Sequence, residues 1–455
     1  MGANREIELV LLSQRTERRV KGDIIYRTYA CPCGRGTIEE EQDYTEGHRD
    51  GFACLKCSLC DKKYYIDFGQ SATKWSIVKK TAPAITIFEP PKRLNGRDRN
   101  MRLFRIHAYE WIHTLKPEEI FNMKFDVIIS NPPYQLNDGG NGVSAAPIFQ
   151  LFVERAMKLR PRYLSMIIPA RWYAGGKGLD IFREMMLGDR HIRNIVDYES
   201  SKDCFTGVNI AGGICYFLWD RDYDGLCEIT NNIQDERIVS TRALNEFPIL
   251  IRSNLAVSIV QKILNKNSDA YSDHAYPRNP FGFATNYRGR SDKRLGDIEL
   301  LTSKGFQYVQ RSEVVKNADI IDSYKVLIGR LVPSNGELDV DPKNGYRVIT
   351  DTRIIGPGQI NTETYLDIGV FRTQAEANNF DKFLKSKLPR FLLRQAISSL
   401  NVTRECFRFV PFEDFTQAWD DDKLYKKYGL TYEEIQLVET TIRPMDLSGG
   451  GTDAD

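Results

Sequence analysis

The residues whose types and spacing could do chemistry stand together at Asn131-Pro132-Pro133-Tyr134, directly after an apolar run at residues 125–129. The Asn131 side-chain oxygen and the Pro132 carbonyl could accept the two N–H bonds of an amine, on a backbone that two prolines fix. The Tyr134 ring offers a face on which a flat base can stack. Methyl transfer to the exocyclic amine of an extruded nucleobase needs these groups, because the amine is a poor nucleophile until acceptors make it pyramidal. The alternative is a rigid strand-to-loop turn with an exposed tyrosine.

Strands and helices alternate after this turn, which is typical of an α/β protein. Apolar runs predict strands at about 163–170, 192–198 and 213–219, and apolar stripes predict helices at about 147–159 and 179–187. The alternation indicates an open, mostly parallel sheet, in which ligands bind at the carboxyl ends of the strands. The apolar run at residues 125–129 predicts a buried strand. Asn131 follows that strand, so we expect it at that edge of the sheet.

Length and charge set limits on what the chain can be. A chain of 455 residues is long enough for two or three domains. Its net charge of +2 is nearly neutral, so a site for a polyanion must be a local basic patch. No apolar run approaches the about 20 residues of a membrane span, and the first residues lack the form of a signal peptide. We therefore expect a cytoplasmic protein with no membrane partner.

Cysteines concentrate near the amino terminus. The chain has nine, an odd number, and five of them lie between residues 31 and 60, which favours metal binding over disulfides. Two tight turns could close four thiolates around a structural zinc ion, and these are Cys31, Cys33, Cys57 and Cys60. Cys54 and His48 are alternative ligands. The pattern predicts a zinc-ribbon-like unit at residues 1–80, the alternative being a small β unit without metal.

The motifs that follow Lys124 come in a recognisable order. They are FDVIISNPPYQLNDGG, PIFQLFVERA, SMIIPARWYAGGKG, IVDY and CFTGVNIAGGICYFLW. In this order they resemble amino-group DNA methyltransferases, above all the adenine-N6 enzymes of restriction–modification systems in their γ arrangement. The resemblance runs from about residue 106 to about residue 445. It implies a methyltransferase catalytic core at residues 81–225 that takes S-adenosylmethionine as cofactor and double-stranded DNA as partner.

The resemblance also assigns roles to single residues. Asn131, Pro132 and Tyr134 would hold the flipped adenine, with Pro133 as part of the same turn. Phe205, in the CFTG motif, would be the second stacking face, unless it is a core aromatic at the start of a strand. Asp126 and Glu110 would lie near the cofactor.

One part of the family pattern is missing from the sequence. These enzymes bind S-adenosylmethionine on a strand, a glycine-rich turn and a helix, which should precede Asn131 here. The best candidate, Asp67 with Gly69, reads more simply as the closing strand of the cysteine-rich unit. We therefore weigh an active methyltransferase against an inactive or split remnant that binds DNA. A second chain could supply the cofactor half or a nuclease.

The carboxyl-terminal residues 226–446 read as an α+β target-recognition region, followed by a disordered tail at 447–455. A loop after Asn279 mixes aromatic and basic side chains that suit contacts with phosphates and base edges. Its candidate DNA-binding residues are Asn286, Tyr287, Arg288 and Arg290; an exposed basic loop without function is the alternative. A helical pair is predicted at residues 376–398 with an interruption at Pro389.

Overall fold

The computed structural model describes part of the chain. Up to residue 107 it describes the backbone of seven strands and nothing else. Beyond that it describes residues 124–135, 147–176, 178–205, 210, 212–233, 236–332, 340–341, 343–397 and 401–446. The chain forms two compact units, residues 1–168 with 219–222 and residues 169–218 with 223–455. The four-part division expected from the sequence stays a prediction, and its tail at 447–455 lies outside the described residues.

The first unit begins with antiparallel strands. Five of them pair in sequence order: β1 (Glu17–Lys21), β2 (Ile24–Ala30), β3 (Thr37–Glu39), β4 (Phe52–Cys57) and β5 (Lys63–Asp67). Two more, β6 (Ala84–Phe88) and β7 (Leu103–His107), form a separate antiparallel pair. Asp67, the candidate cofactor residue, ends β5 and so closes the first sheet.

The segment that carries the candidate turn is a strand–helix–strand unit. Strand β8 (Val127–Ser130) and strand β9 (Tyr163–Pro169) run parallel, with Val127 opposite Tyr163 and Ser130 opposite Met166. Helix α1 (Phe149–Lys158) joins them. Its buried apolar side chains recur at the spacing of one helical face, at Phe149, Phe152, Val153 and Ala156.

Strand β8 is less covered than its sequence predicts. Val127 is 52% exposed and Ile129 is 79% exposed, although an apolar strand of this kind is predicted to be buried. Among the residues that the structure describes, only β9 pairs with β8. Because side chains alternate along a strand, Val127, Ile129 and Asn131 share a face. An exposed apolar strip therefore leads directly to Asn131.

The second unit combines further sheet strands with a helical part. Helix α2 (Asp180–Gly188) precedes β10 (Ile192–Tyr198), β11 (Ile214–Asp220, whose last two residues belong to the first unit), β12 (Cys227–Ile233) and β13 (Glu236–Arg242). Strand β10 runs parallel to β12, and β13 returns antiparallel to β12. The fold is therefore mixed α/β with open sheets, in agreement with the sequence prediction at that level.

The remainder of this unit is α+β. Its strands are β14 (Asp297–Thr302), β15 (Gly305–Gln310), β16 (Tyr324–Gly329), β17 (Val340–Asp341), β18 (Gly345–Tyr346), β19 (Arg353–Ile355), β20 (Gln359–Asn361) and β21 (Tyr365–Phe371). Its helices are α3 (Val257–Lys266), α4 (Gln374–Lys385), α5 (Lys387–Ala396), α6 (Asp421–Tyr428) and α7 (Tyr432–Thr441). Aromatic rings fill the core, where Tyr271 stacks on Phe380 with centroids 4.7 Å apart.

The predicted helical pair is present, but its interruption lies earlier than Pro389. Helix α4 ends and α5 begins at Ser386, whose backbone is extended. Pro389 is the third residue of α5, where a missing N–H costs little because first-turn N–H groups have no intrahelical partner. The Asp421 carboxylate instead accepts the N–H groups of Lys387 and Leu388, both at 2.9 Å.

Among the helices that the structure describes, none is both long and apolar enough to cross a lipid bilayer.

Candidate functional site

The Asn131–Tyr134 turn leaves the carboxyl end of β8 with its amide facing outward. Asn131 is exposed, and its side chain makes no hydrogen bond with any described residue. Pro132 is buried and Pro133 is half-buried, so the backbone beneath the amide is fixed. The Ile148 N–H donates to the Tyr134 carbonyl at 3.1 Å and anchors the far side of the turn. The arrangement leaves the acceptor oxygen of Asn131 open to a ligand.

Asp126 lies at the other end of the same strand. It precedes β8, whereas Asn131 follows it, and five residues of extended chain span about 16 Å. The Tyr163 N–H donates to the main-chain oxygen of Asp126 at 2.8 Å, which fixes the start of the strand pair. The geometry therefore separates Asp126 from the amide that follows the strand.

Phe205 belongs to the second unit, in a loop held by Ser201. The Phe205 N–H donates to the Ser201 carbonyl at 2.8 Å, and the Ile210 N–H donates to the Ser201 hydroxyl at 2.8 Å. Ser201 is fully buried and Phe205 is half-buried. One buried serine thus holds both ends of the loop that carries the candidate stacking residue.

A largely buried ion pair joins residues on either side of this loop. Arg252 donates to both carboxylate oxygens of Asp197 and to the carbonyls of Gly212 and Tyr198, all within 2.9 Å. Burial raises the pKa of Asp197 above its ordinary value, and the Arg252 guanidinium opposes that rise. Burial alone would lower the pKa of Arg252, but the carboxylates of Asp197 and Glu199 raise it. The pair fixes the carboxyl end of β10 to the residues that precede β11.

A second ion pair reaches the same strand end from helix α5. Arg394 donates to the Glu199 carboxylate, and its guanidinium lies 3.9 Å from the centroid of the Tyr346 ring. The helical part of the unit is thereby fixed to the residue that follows β10. Sequence reasoning missed Arg252 and Arg394, because neither belongs to a motif and each meets its partner across a long stretch of chain.

The predicted DNA-contact residues lie in one loop and divide into two pairs. Asn286 and Arg288 are exposed, with Arg288 donating only to nearby main-chain carbonyls. Tyr287 and Arg290 are held internally. The Tyr287 hydroxyl donates to Glu313 at 3.0 Å, and Arg290 pairs with Asp297 and lies 3.7 Å from Glu313. Only the first pair is presented for an external contact.

The predicted metal ligands and one cofactor candidate lie outside what the structure describes. Cys31, Cys33, Cys60 and Glu110 are not described, and Cys57 ends β4 without a described side chain. Among the described residues, no three histidine, cysteine or acidic side chains could hold a metal ion. Apart from residues 124–126, the described residues before Asn131 lie in strands, so they do not contain a strand–turn–helix unit of the kind that binds S-adenosylmethionine.

Comparisons with known proteins agree with the resemblance seen in the motifs. Residues 62–205 match the sequence model of the Eco57I restriction-modification methylase family. A stretch of 132 residues is 45% identical to an uncharacterized adenine-specific methylase of Mycoplasma pneumoniae, and it covers 26% of this chain and 31% of that protein. The match thus spans about a third of the length of this curated relative.

Two solved structures are similar over a larger share of the chain. The type IIG restriction endonuclease BpuSI is 11% identical with a TM-score of 0.29, over 72% of this chain and 55% of that one. The type IIL restriction-modification enzyme MmeI, solved in complex with DNA, is 9% identical with a TM-score of 0.40, over 74% and 56%. The family match includes the Asn131–Tyr134 turn and Phe205. Residues 62–205, with the candidate turn among them, are therefore similar to the Eco57I restriction-modification methylase family.

Proposed function

We propose that this chain is a DNA adenine-N6 methyltransferase of a restriction–modification system and holds an extruded adenine at the Asn131–Tyr134 turn. The observation that carries the proposal is the exposed Asn131 amide, which has no partner among the described residues and lies at the carboxyl end of a strand. Because the amide is exposed and makes no bond to a described residue, it can accept a hydrogen bond from a ligand without losing one to those residues.

The chemistry assigned to the turn is the preparation of the amine. The Asn131 oxygen and the Pro132 carbonyl accept the two N–H bonds of the adenine amine, so its lone pair is no longer fully conjugated with the ring. Because Pro132 is buried, both acceptors are in place before the base arrives. Tyr134 supplies one stacking face, and Phe205 is the candidate for the other. The described residues do not include a unit that would bind the methyl donor, so we assign to them only the holding of the base.

The test is adenine methylation in a bacterial host that lacks its own adenine methyltransferases. The wild-type chain is expected to leave N6-methyladenine at one sequence motif, read by sequencing of the host DNA. Asn131→Ala should abolish it while DNA binding by the purified chain persists. Asn265→Ala, which removes an exposed asparagine on α3, is the matched control. Full methylation by Asn131→Ala would reject the proposed role of the turn.

A second candidate is a chain that binds DNA and receives the cofactor half from another polypeptide. The exposed strip of Val127 and Ile129 favours it, since a surface that leads to the reacting group is where a cofactor-bearing domain would dock. Calorimetric titration of the isolated chain with S-adenosylmethionine separates the two candidates. Binding supports the complete enzyme, and no binding supports the two-chain arrangement.

We also propose a structural zinc ion in the amino-terminal unit, on the support of cysteine spacing alone. Its ligands would be Cys31, Cys33, Cys57 and Cys60, with Cys54 and His48 as alternatives. Elemental analysis of the purified chain should find one zinc per chain. Cys33→Ser should reduce that content, whereas Cys204→Ser, which replaces an exposed free cysteine, should not. Equal zinc content in both variants would exclude Cys33 as a ligand.

A further inference from the structure

Arg171 carries a guanidinium that pairs with no carboxylate in the described part of the chain. It lies in the short 3-10 turn Ala170–Tyr173 that follows β9. Its side chain is half-buried, and its Nε is buried with no hydrogen-bond partner. Among the described residues, no carboxylate comes within ion-pair distance. Burial lowers the pKa of Arg171 below its ordinary value, and no neighbouring charge opposes the change.

Other arginines in the same unit have acceptors within the fold. Arg252 pairs with Asp197, Arg242 with Glu246 at 2.6 Å, and Arg394 with Glu199. Arg390 is fully buried and donates to three main-chain carbonyls. The fold therefore compensates its largely buried guanidinium groups with internal acceptors. Arg171, which is half-buried, has no such acceptor among the described residues, and the desolvation of its buried Nε costs the free protein stability.

The position of Arg171 suits a ligand contact. The turn lies at the carboxyl end of β9, the edge at which open α/β sheets bind their ligands. The Ala170 N–H donates to the Gly213 carbonyl at 3.0 Å, so the turn adjoins the end of the Phe205 loop. The next residue, Trp172, is fully buried and fixes the backbone. Arg171 is thus held on a rigid support beside the candidate base-stacking loop.

We infer that Arg171 binds a phosphodiester group of the DNA strand next to the extruded nucleotide. The inference rests on the proposed function for the identity of the ligand. A guanidinium presents paired N–H donors that match the oxygens of a phosphate. Because the net charge is only +2, DNA affinity has to come from locally placed cations, of which Arg171 would be one. The carboxylate of S-adenosylmethionine is the other source of such an oxyanion.

The first test measures binding of the full chain to a fluorescent 30-base-pair duplex over a range of salt concentrations. Arg171→Gln should weaken binding about tenfold and reduce the slope of log K against log salt by about 0.9, the contribution of one phosphate contact. Arg237→Gln, an exposed arginine on β13, removes the same charge elsewhere and should change the slope little. Equal slopes for Arg171→Gln and wild type would overturn the inference.

Two further measurements distinguish the phosphate contact from a cofactor contact and from a structural role. Titration with S-adenosylmethionine should give the same cofactor affinity for wild type and Arg171→Gln. If the variant instead loses cofactor affinity while its DNA salt slope is unchanged, Arg171 contacts the cofactor carboxylate, and the phosphate contact is overturned. Arg171→Met should raise the urea midpoint of the free protein, since it removes an uncompensated charge. A lower midpoint with unchanged DNA binding would mean a structural role. A wild-type chain that does not bind the duplex overturns the proposed function itself, which is a different outcome from an unaffected variant.

Discussion

Arg252 holds Asp197 with two hydrogen bonds, Nε to Oδ2 at 2.7 Å and Nη2 to Oδ1 at 2.9 Å, across 55 residues of chain. The same guanidinium donates to the carbonyls of Gly212 and Tyr198. One side chain thereby joins the end of β10 to the segment that returns from the Phe205 loop. The position of a candidate base-stacking residue depends on a pair that is itself far from any motif.

Arg252→Met should destabilise the protein by about 3 kcal/mol, because it leaves the Asp197 carboxylate buried without its partner. The double variant Arg252→Met with Asp197→Leu should recover part of that loss, since no unpaired charge remains. Urea unfolding of the single and double variants measures both. A single variant that loses less than about 1 kcal/mol would mean that solvent reaches the carboxylate.

Gly213→Ala should lower the free energy of unfolding more than the same substitution at another glycine with a similar backbone conformation. Gly213 has φ +72°, and an added Cβ would lie 2.3 Å from the Tyr198 oxygen and 2.4 Å from the Glu199 oxygen. Gly176 has φ +83° and open space around it, so Gly176→Ala isolates the cost of the left-handed conformation, about 1–2 kcal/mol. Urea unfolding should give Gly213→Ala a free energy of unfolding well below that of Gly176→Ala. Equal losses would show that the strand end can shift to admit a methyl group.

Some of this architecture could be predicted from local sequence. The strand before Asn131, the helix after Pro147 and the polar turn that follows the strand could be predicted from short-range rules. These rules are a short apolar run, a 3.6-residue apolar stripe and proline geometry. The exposure of Val127 and Ile129 could not be predicted in this way. An apolar strand predicts a buried position, but it does not identify the element that buries the strand.

The helix break near Pro389 shows the same limit at a smaller scale. The sequence predicts an interruption at the proline, yet Pro389 is accommodated in the first turn of α5. The break is at Ser386 because Asp421, from a distant segment, caps the new helix. Pairings such as Asp421 with Lys387 or Asp197 with Arg252 join residues that no local pattern connects, so a single sequence does not reveal them.

Asp367 should make the stability of the protein fall as pH rises through neutrality. It is fully buried, and Asn361 Nδ2 donates to its Oδ2 at 2.8 Å, while the Oδ1 atoms of both residues are buried without a described partner. Burial raises the pKa of Asp367 to about 7, against about 3.9 in the unfolded chain. The folded state therefore holds the proton more tightly, and the stability present below about pH 4 is lost as pH rises through about 7.

Asp367→Asn should flatten this dependence, because the amide stays neutral and can donate to the free oxygen of Asn361. Lys325 affects the stability of the protein in a different pH range. Burial lowers its pKa to about 8, against about 10.4 in the unfolded chain, so its contribution to the free energy of unfolding is lost as pH falls from about 10.4 to about 8. Urea unfolding between pH 4 and pH 7 measures the Asp367 effect separately. Asp273→Asn, an exposed control, should keep the wild-type profile. A profile equally steep in Asp367→Asn would assign the titration to another group.

Ile129 provides the last prediction, since its exposure supports the two-chain candidate. Ile129→Ser should change the free energy of unfolding by no more than about 0.5 kcal/mol, the usual range for a surface position. Leu164→Ala, on the adjacent strand β9 and fully buried, should cost about 2–5 kcal/mol. Urea unfolding of the two variants compares an open face with a packed one. If Ile129→Ser were as costly as Leu164→Ala, another part of this chain would have to cover the strip that leads to Asn131, and the case for docking a separate cofactor-bearing polypeptide there would lose its support.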